Sequence, residues 1–148
     1  MEPYDSMSGR TPLHAAAMSD SFGVMKLLCE SAGPSLNMNE LDDGSQTPLH
    51  LLTQYGRNSH ELLVYMLEKG ANPNAQDSEK RTPLMTTFIL NDNAQLVETL
   101  LDYGADPNIR CQENNALAEA AIRVRFQCVK VLLETDLRYT SVNEWHLR

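Results

Sequence analysis

The sequence predicts an all-α repeat, a solenoid of stacked helix-turn-helix units joined by β-hairpin-like fingers. Three observations carry that prediction. GANPN at Gly70–Asn74 recurs as GADPN at Gly104–Asn108. TPLH at Thr11–His14 recurs at Thr47–His50, shortens to TPL at Thr82–Leu84, and leaves an echo, NALA, at Asn115–Ala118. The shared Leu falls at 13, 49, 84 and 117, in steps of 36, 35 and 33 residues. A period of this length marks supersecondary units that bury their apolar faces only against neighbours.

The period divides the chain into a tail (1–8), units at 9–46, 47–80, 81–113 and 114–136, and a final segment (137–148) that is a tail or the start of a further unit. In unit one, Thr11 suits a helix N-cap and Pro12 the first helical position, where a missing N–H costs nothing. Leu13, Ala16 and Ala17 give a small-residue packing face. The second helix, about Gly23 to Ser31, places Val24, Leu27 and Leu28 toward the core and stops at Gly33-Pro34. A long acidic connection, Ser35 to Gln46, leads to unit two. There the first helix ends near Gly56, Asn58 or Ser59 caps the second, and Leu63, Met66 and Leu67 pack inward. Gly70 closes that helix in a left-handed conformation. Unit three repeats the plan with Asn93 as cap, Val97, Leu100 and Leu101 as stripe, and Gly104. Unit four loses the Pro and the His, has no Gly after Glu134, and is expected to fray first. Its stripe is Val129, Leu132 and Leu133. Phe126 and Val131 are too apolar for an outer face, so either Trp145 and its neighbours cover that end or the array continues.

TPLH, an apolar pair such as Leu100–Leu101, and GA(N/D)PN recur in fixed order. In this the chain, from about Gly9 to about Asp136, resembles the ankyrin repeat family. The resemblance implies a scaffold of fingers and first helices lining a concave face, with second helices as the convex back. It implies a local role for His14, bonding within its own turn. Against the family pattern, units two and three carry one extra residue between helices, and Lys80 replaces a turn Gly, which is expected to distort that hairpin.

Charge and composition narrow the function. The net charge is −8, with −9 over residues 1–109 and +1 over residues 110–148. An acidic balance opposes nucleic-acid binding, which needs phosphate neutralisation. Three Cys at 29, 111 and 128 give no disulfide framework and fit reduced thiols in an intracellular protein, cytoplasmic or nuclear. Cys29 and Cys128 are expected as buried small hydrophobes. No apolar run approaches a membrane span. No catalytic residue, metal site or cofactor motif is expected: His60-Glu61 opens like H-E-x-x-H, but Val64 takes the second His position. Neither a small-molecule substrate nor enzymatic activity follows from these residues.

What remains is binding of another protein or peptide on the concave face that the resemblance implies. Projected tip positions are Met7, Ser8, Arg10, Asp43, Gln46, Ser78, Glu79, Arg81 and Glu113; projected first-helix positions are Met18, Gln54, Tyr55, Ile89, Leu90, Ile122 and Arg123. Of these, Arg10, Met18, Gln46, Gln54, Tyr55, Glu79, Arg81, Ile89, Leu90, Ile122 and Arg123 form the candidate site. A row of large apolar side chains flanked by Arg has the composition of an interface centre. It suits an extended or helical peptide with apolar anchors and a carboxylate that Arg holds bidentately. The expected role is adaptor, inhibitor or recognition arm. Alternatives are an inhibitor resembling the ankyrin-repeat inhibitors of Rel-type transcription factors and a structural spacer within a larger protein.

Overall fold

The computed structural model describes residues 8–57 and 60–135. Its helices are α1 (Pro12–Met18), α2 (Phe22–Ala32), α3 (Pro48–Tyr55), α4 (His60–Glu68), α5 (Pro83–Leu90), α6 (Ala94–Asp102) and α7 (Ala116–Ile122), followed by α8 over residues 126–135. Leu13, Leu49, Leu84 and Leu117 are each the second residue of an odd-numbered helix, so the period of the sequence is the period of the fold. α1 packs on α3, α3 on α5 and α5 on α7, while α2, α4 and α6 pack in a second row behind them. Among the described residues there is no sheet, only an isolated antiparallel bridge between Cys111 and Asn114. Asn58 and Ser59, the expected caps of α4, and Met7 and Trp145 lie outside the described residues.

The first helices of units one to three start the same way. The Thr11, Thr47 and Thr82 side chains accept from the N–H three residues on, and Pro follows at the first helical position. His14 and His50 complete the cap: Nδ1 accepts the Thr11 N–H at 3.1 Å and the Thr47 N–H at 3.0 Å. A nitrogen that accepts is deprotonated, so Nε2 carries the hydrogen. It donates to the carbonyl just before the next unit's Thr cap, that of Gln46 at 2.8 Å and that of Arg81 at 2.9 Å. The motif His is therefore a tie between units as well as a local partner of its turn. Burial pushes the His50 imidazole below its usual 6.5, against an opposing pull from the Arg81 carbonyl.

The fingers are held by buried or shielded carboxylates. Asp77 Oδ1 accepts from the Glu79 and Arg81 N–H groups, each at 2.9 Å, and Asp42 Oδ1 does the same for Gly44 and Gln46. Lys80 does not distort its hairpin. It takes the left-handed conformation itself, with φ of 68°. The turn closes through Lys80 N–H to Asp77 O and Asp77 N–H to Arg81 O, both 2.9 Å. Behind the fingers a second ladder runs from unit to unit. The Asn39 amide donates to the Gly70 carbonyl at 3.0 Å and accepts the Asn72 N–H at 2.7 Å. Asn74 repeats this on Gly104 and Asp106, at 2.9 and 2.7 Å. Gly70 and Gly104 carry φ of 100° and 94°, where a Cβ would clash with the backbone.

Leu49, Leu52, Leu63, Met66, Phe88, Leu96 and Leu100 are fully buried between the two rows. The ends of the stack depart from the sequence reading. Val24 and Leu27, expected in the core, are exposed, and Met25 is buried instead. Phe22 meets the Tyr65 ring of the next unit edge-on at 5.2 Å, and Val24 and Leu27 lie on the opposite side of α2. α2 packs on α1 of its own unit and on α4 of the next, and the side that carries Val24 and Leu27 stays open to solvent. At the other end Leu133 is exposed while Val131, expected on the outer face, is buried. Cys29 is only half-buried.

Unit four is fastened more firmly than its lost Pro and His suggest. Asn115 caps α7 by accepting the Ala118 N–H. The Asp92 carboxylate, between α5 and α6, accepts the Gln127 and Cys128 N–H groups at 3.0 and 2.9 Å, capping α8 from the unit before. Burial pushes its carboxyl up, but these N–H groups outweigh that and hold it below its usual 3.8. In return, Arg125 donates to the Phe88 and Ile89 carbonyls at 2.7 and 2.9 Å, closing the C-terminal end of α5.

Candidate partner-binding face

The odd helices lie side by side in order, so their C-terminal ends form a row along one edge of the array. Met18 ends α1, Tyr55 ends α3, Leu90 ends α5 and Ile122 ends α7. They are 37%, 41%, 58% and 65% exposed. Ties at the backbone hold the row together: Asn91 donates to the Gln54 carbonyl at 3.2 Å, and Arg125 holds the end of α5. Gln54, Ile89 and Arg123 are half-buried. Val124, at 82% exposure, extends the row and escaped sequence reasoning. It sits at φ of 57°, a conformation β-branched residues avoid, so no propensity pointed to it.

The finger positions divide by charge pairing. Asp43, Ser78, Glu79 and Glu113 are exposed, while Ser8, Arg10, Gln46 and Arg81 are half-buried. Each candidate Arg already has a carboxylate of this chain. Arg81 Nε meets Asp77 Oδ2 at 3.0 Å, with Glu79 Oε2 at 3.6 Å from its Nη1. Arg10 Nε lies 3.6 Å from Asp42, and its Nη1 reaches Met18 Sδ at 3.5 Å. Arg123 Nε lies 3.8 Å from Glu119. The Asp77 carboxylate is buried, so Arg81 is a structural partner first. Opening that pair would strand a buried charge.

Among the described residues, no cluster of three or more His, Cys, Asp or Glu is placed to hold a metal ion. No described helix is long and apolar enough to cross a membrane. Burial, then its contact with Asp92, pushes the Cys128 thiol up to about 12, far from the range of a reactive thiolate. Cys111 donates to the Glu79 carbonyl at 3.2 Å, and burial pushes its thiol up as well.

Comparison with known proteins agrees with this architecture. A family model described as ankyrin repeats (3 copies) matches residues 2–77 and again 56–143. The chain belongs to the ankyrin repeat family. Its relatives include the tyrosine-protein kinase HTK16 of Hydra vulgaris, 30% identical over 126 residues, covering 83% of this chain and 16% of the kinase. The E3 ubiquitin-protein ligase KEG of Arabidopsis thaliana is 29% identical over 132 residues, covering 84% of this chain and 8% of the ligase. The putative ankyrin repeat protein FPV031 of Fowlpox virus (strain NVSL) is 31% identical over 119 residues, covering 80% and 33%. The chain thus spans a third or less of these relatives, and the match is to their ankyrin stretches. Ankyrin repeats are protein-interaction modules, and that coarse role carries to this chain.

Proposed function

We propose that this chain is a non-catalytic interaction module that seats a segment of a partner protein across the C-terminal ends of its first helices. The observation that carries the reading is the exposed apolar row Met18, Tyr55, Leu90 and Ile122, set in an otherwise acidic chain. Solvent-facing helix ends have no folding reason to carry four large apolar side chains in register. Burying such anchors drives association. The partner supplies apolar anchors on an extended or helical segment. A carboxylate on it meets Arg123, whose ion pair with Glu119 is long and near the surface, more readily than Arg81, which is held by buried Asp77. Adaptor, inhibitor and recognition arm are roles of the same surface and differ by the partner captured.

Affinity capture from cell extract with wild type and with a Tyr55→Ala/Leu90→Ser variant tests this. Both positions are exposed, so circular dichroism is expected to be unchanged. Binding to the captured partner is expected to weaken by at least about tenfold, as for loss of central anchors. Equal binding by a folded variant places the site elsewhere.

A further inference from the structure

The second row of helices carries a hollow of its own, between α2 and α4, of about 330 Å³. Phe22 of α2 forms one wall, and His60, Glu61, Val64, Tyr65 and Glu68 of α4 line the rest. These α4 positions are spaced i, i+1, i+4, i+5 and i+8, one face of a helix. Phe22, Val64 and Tyr65 are half-buried and make the apolar part. The Phe22 and Tyr65 rings brace each other edge to face. His60, Glu61 and Glu68, the polar part, are exposed.

What the polar part presents is acceptors. The Thr99 hydroxyl gives its hydrogen to the Gln95 carbonyl at 2.9 Å, so its oxygen is the acceptor toward His60 Nδ1, at 3.2 Å. Nδ1 therefore carries the hydrogen of the neutral ring, and Nε2 is left with a lone pair. Glu68 takes the Tyr103 hydroxyl on Oε1 at 3.2 Å, leaving Oε2. The Tyr65 hydroxyl bonds to Cys29; burial first, then this contact, pushes the phenol above its usual 10. Charge points the same way. The two helices carry Glu30, Glu61 and Glu68 against Lys26, and Lys69 follows α4 with its ammonium 5.5 Å from the Tyr65 ring centroid. Residues 1–109 as a whole are at −9.

Spacing selects among cations. Glu61 and Glu68 are seven residues apart, about 10 Å along α4 at 1.5 Å per residue. A metal ion, with bonds of about 2–2.6 Å, does not bridge that, and among the described residues no three such ligands converge on one. An ammonium is a compact point charge without a flat face. A guanidinium is broad and planar, donates from separate edges at about 2.8 Å on each side, and stacks on aromatic rings.

We propose that this hollow seats an arginine side chain from a basic segment of a partner protein. The guanidinium lies over Val64 and Tyr65 and donates to Glu61 and Glu68, which lean toward it from either end. His60 Nε2 is a further acceptor beside Glu61, and the aliphatic stem packs on Phe22. The His60-Glu61 pair, which opens like a metal motif, thus serves as an acceptor pair for a cation of another kind. The site is on the back row and does not depend on the row from Met18 to Ile122.

Nuclear magnetic resonance titration of the full chain tests it. The probes are a blocked Ala-Arg-Ala peptide and its Ala-Lys-Ala counterpart. The Arg peptide is expected to shift the amides of Phe22, His60, Val64, Tyr65 and Glu68 and to saturate. The Lys peptide should bind at least about fivefold more weakly, having no planar fork. Glu61→Gln/Glu68→Gln should weaken the Arg peptide at least about fivefold by removing both charges, with the circular dichroism unchanged because both positions are exposed. No saturating shift in the hollow overturns the proposal, as do shifts spread evenly over the acidic fingers. Equal binding of the two peptides, or full binding by the folded double variant, overturns it as well. A wild-type dimer in sedimentation velocity that the double variant abolishes gives the hollow to a second copy and overturns it too.

Discussion

His50 concentrates the chemistry of one unit boundary in a single imidazole. Its Nδ1 takes the Thr47 N–H and its Nε2 gives a hydrogen to the Arg81 carbonyl. A second proton on the ring would face the Thr47 N–H with another donor. Burial and this geometry agree in keeping the ring neutral in the fold, with its pKa lowered from 6.5. The unfolded chain therefore binds more protons between the lowered value and about 6.5, so stability falls as pH drops through that window and is flat above it. In urea titrations at pH 7.5 and 5.5, wild type should lose more midpoint than His50→Gln. The variant should itself cost roughly 1–3 kcal/mol at pH 7.5, the usual range for a disturbed buried hydrogen bond. Equal pH sensitivity in the two proteins would clear His50 of the role. The TPLH motif announced the cap in the sequence. The bond to the next unit was not legible, because its acceptor is a main-chain carbonyl 31 residues away that any residue could supply.

Helices α5 and α8 illustrate how elements finish one another. α5 ends at Leu90 without a Gly cap, and Asn91 is extended, with φ of −132°. Its open carbonyls would cost stability, and Arg125 takes two of them with a charged, planar donor suited to the negative end of a helix. Asp92 answers at the positive end of α8. Removing the guanidinium in Arg125→Ala should cost about 2 kcal/mol in chemical denaturation. Arg125→Lys should recover less than half, since an ammonium cannot span both carbonyls. Full recovery by Lys would mean that charge alone matters. The candidate site follows the same logic. The placing of Tyr55, Leu90 and Ile122 at first-helix positions followed from the ankyrin resemblance, but the commitment of Arg10, Arg81 and Arg123 to acids of this chain did not. A repeat pattern gives positions along the axis and is silent on which side chains pair around it.

As a whole the array is a line of units with cores only where units meet. Leu100 is fully buried at the middle of that line, and Leu100→Ala should cost roughly 2–5 kcal/mol. Unit four has one neighbour among the described residues and shows exposed Phe126 and Leu133. Its α8 amides should exchange before those of α4, despite the Asp92 and Arg125 fastenings. Hydrogen exchange that finds α8 the most protected helix would contradict a stack whose ends are weakest.

The succession of helix pairs was set by local chemistry alone. Thr-Pro-Leu starts and glycine stops act over a few bonds, and a 33- to 36-residue period repeats them along the chain. What depended on three-dimensional packing was everything that crosses between units. The exposure of Val24 and Leu27, the burial of Val131, and the grips of Asp92, Arg125 and Asn74 each turn on which neighbour lies opposite. That is a property of the stack, and no single unit's sequence contains it.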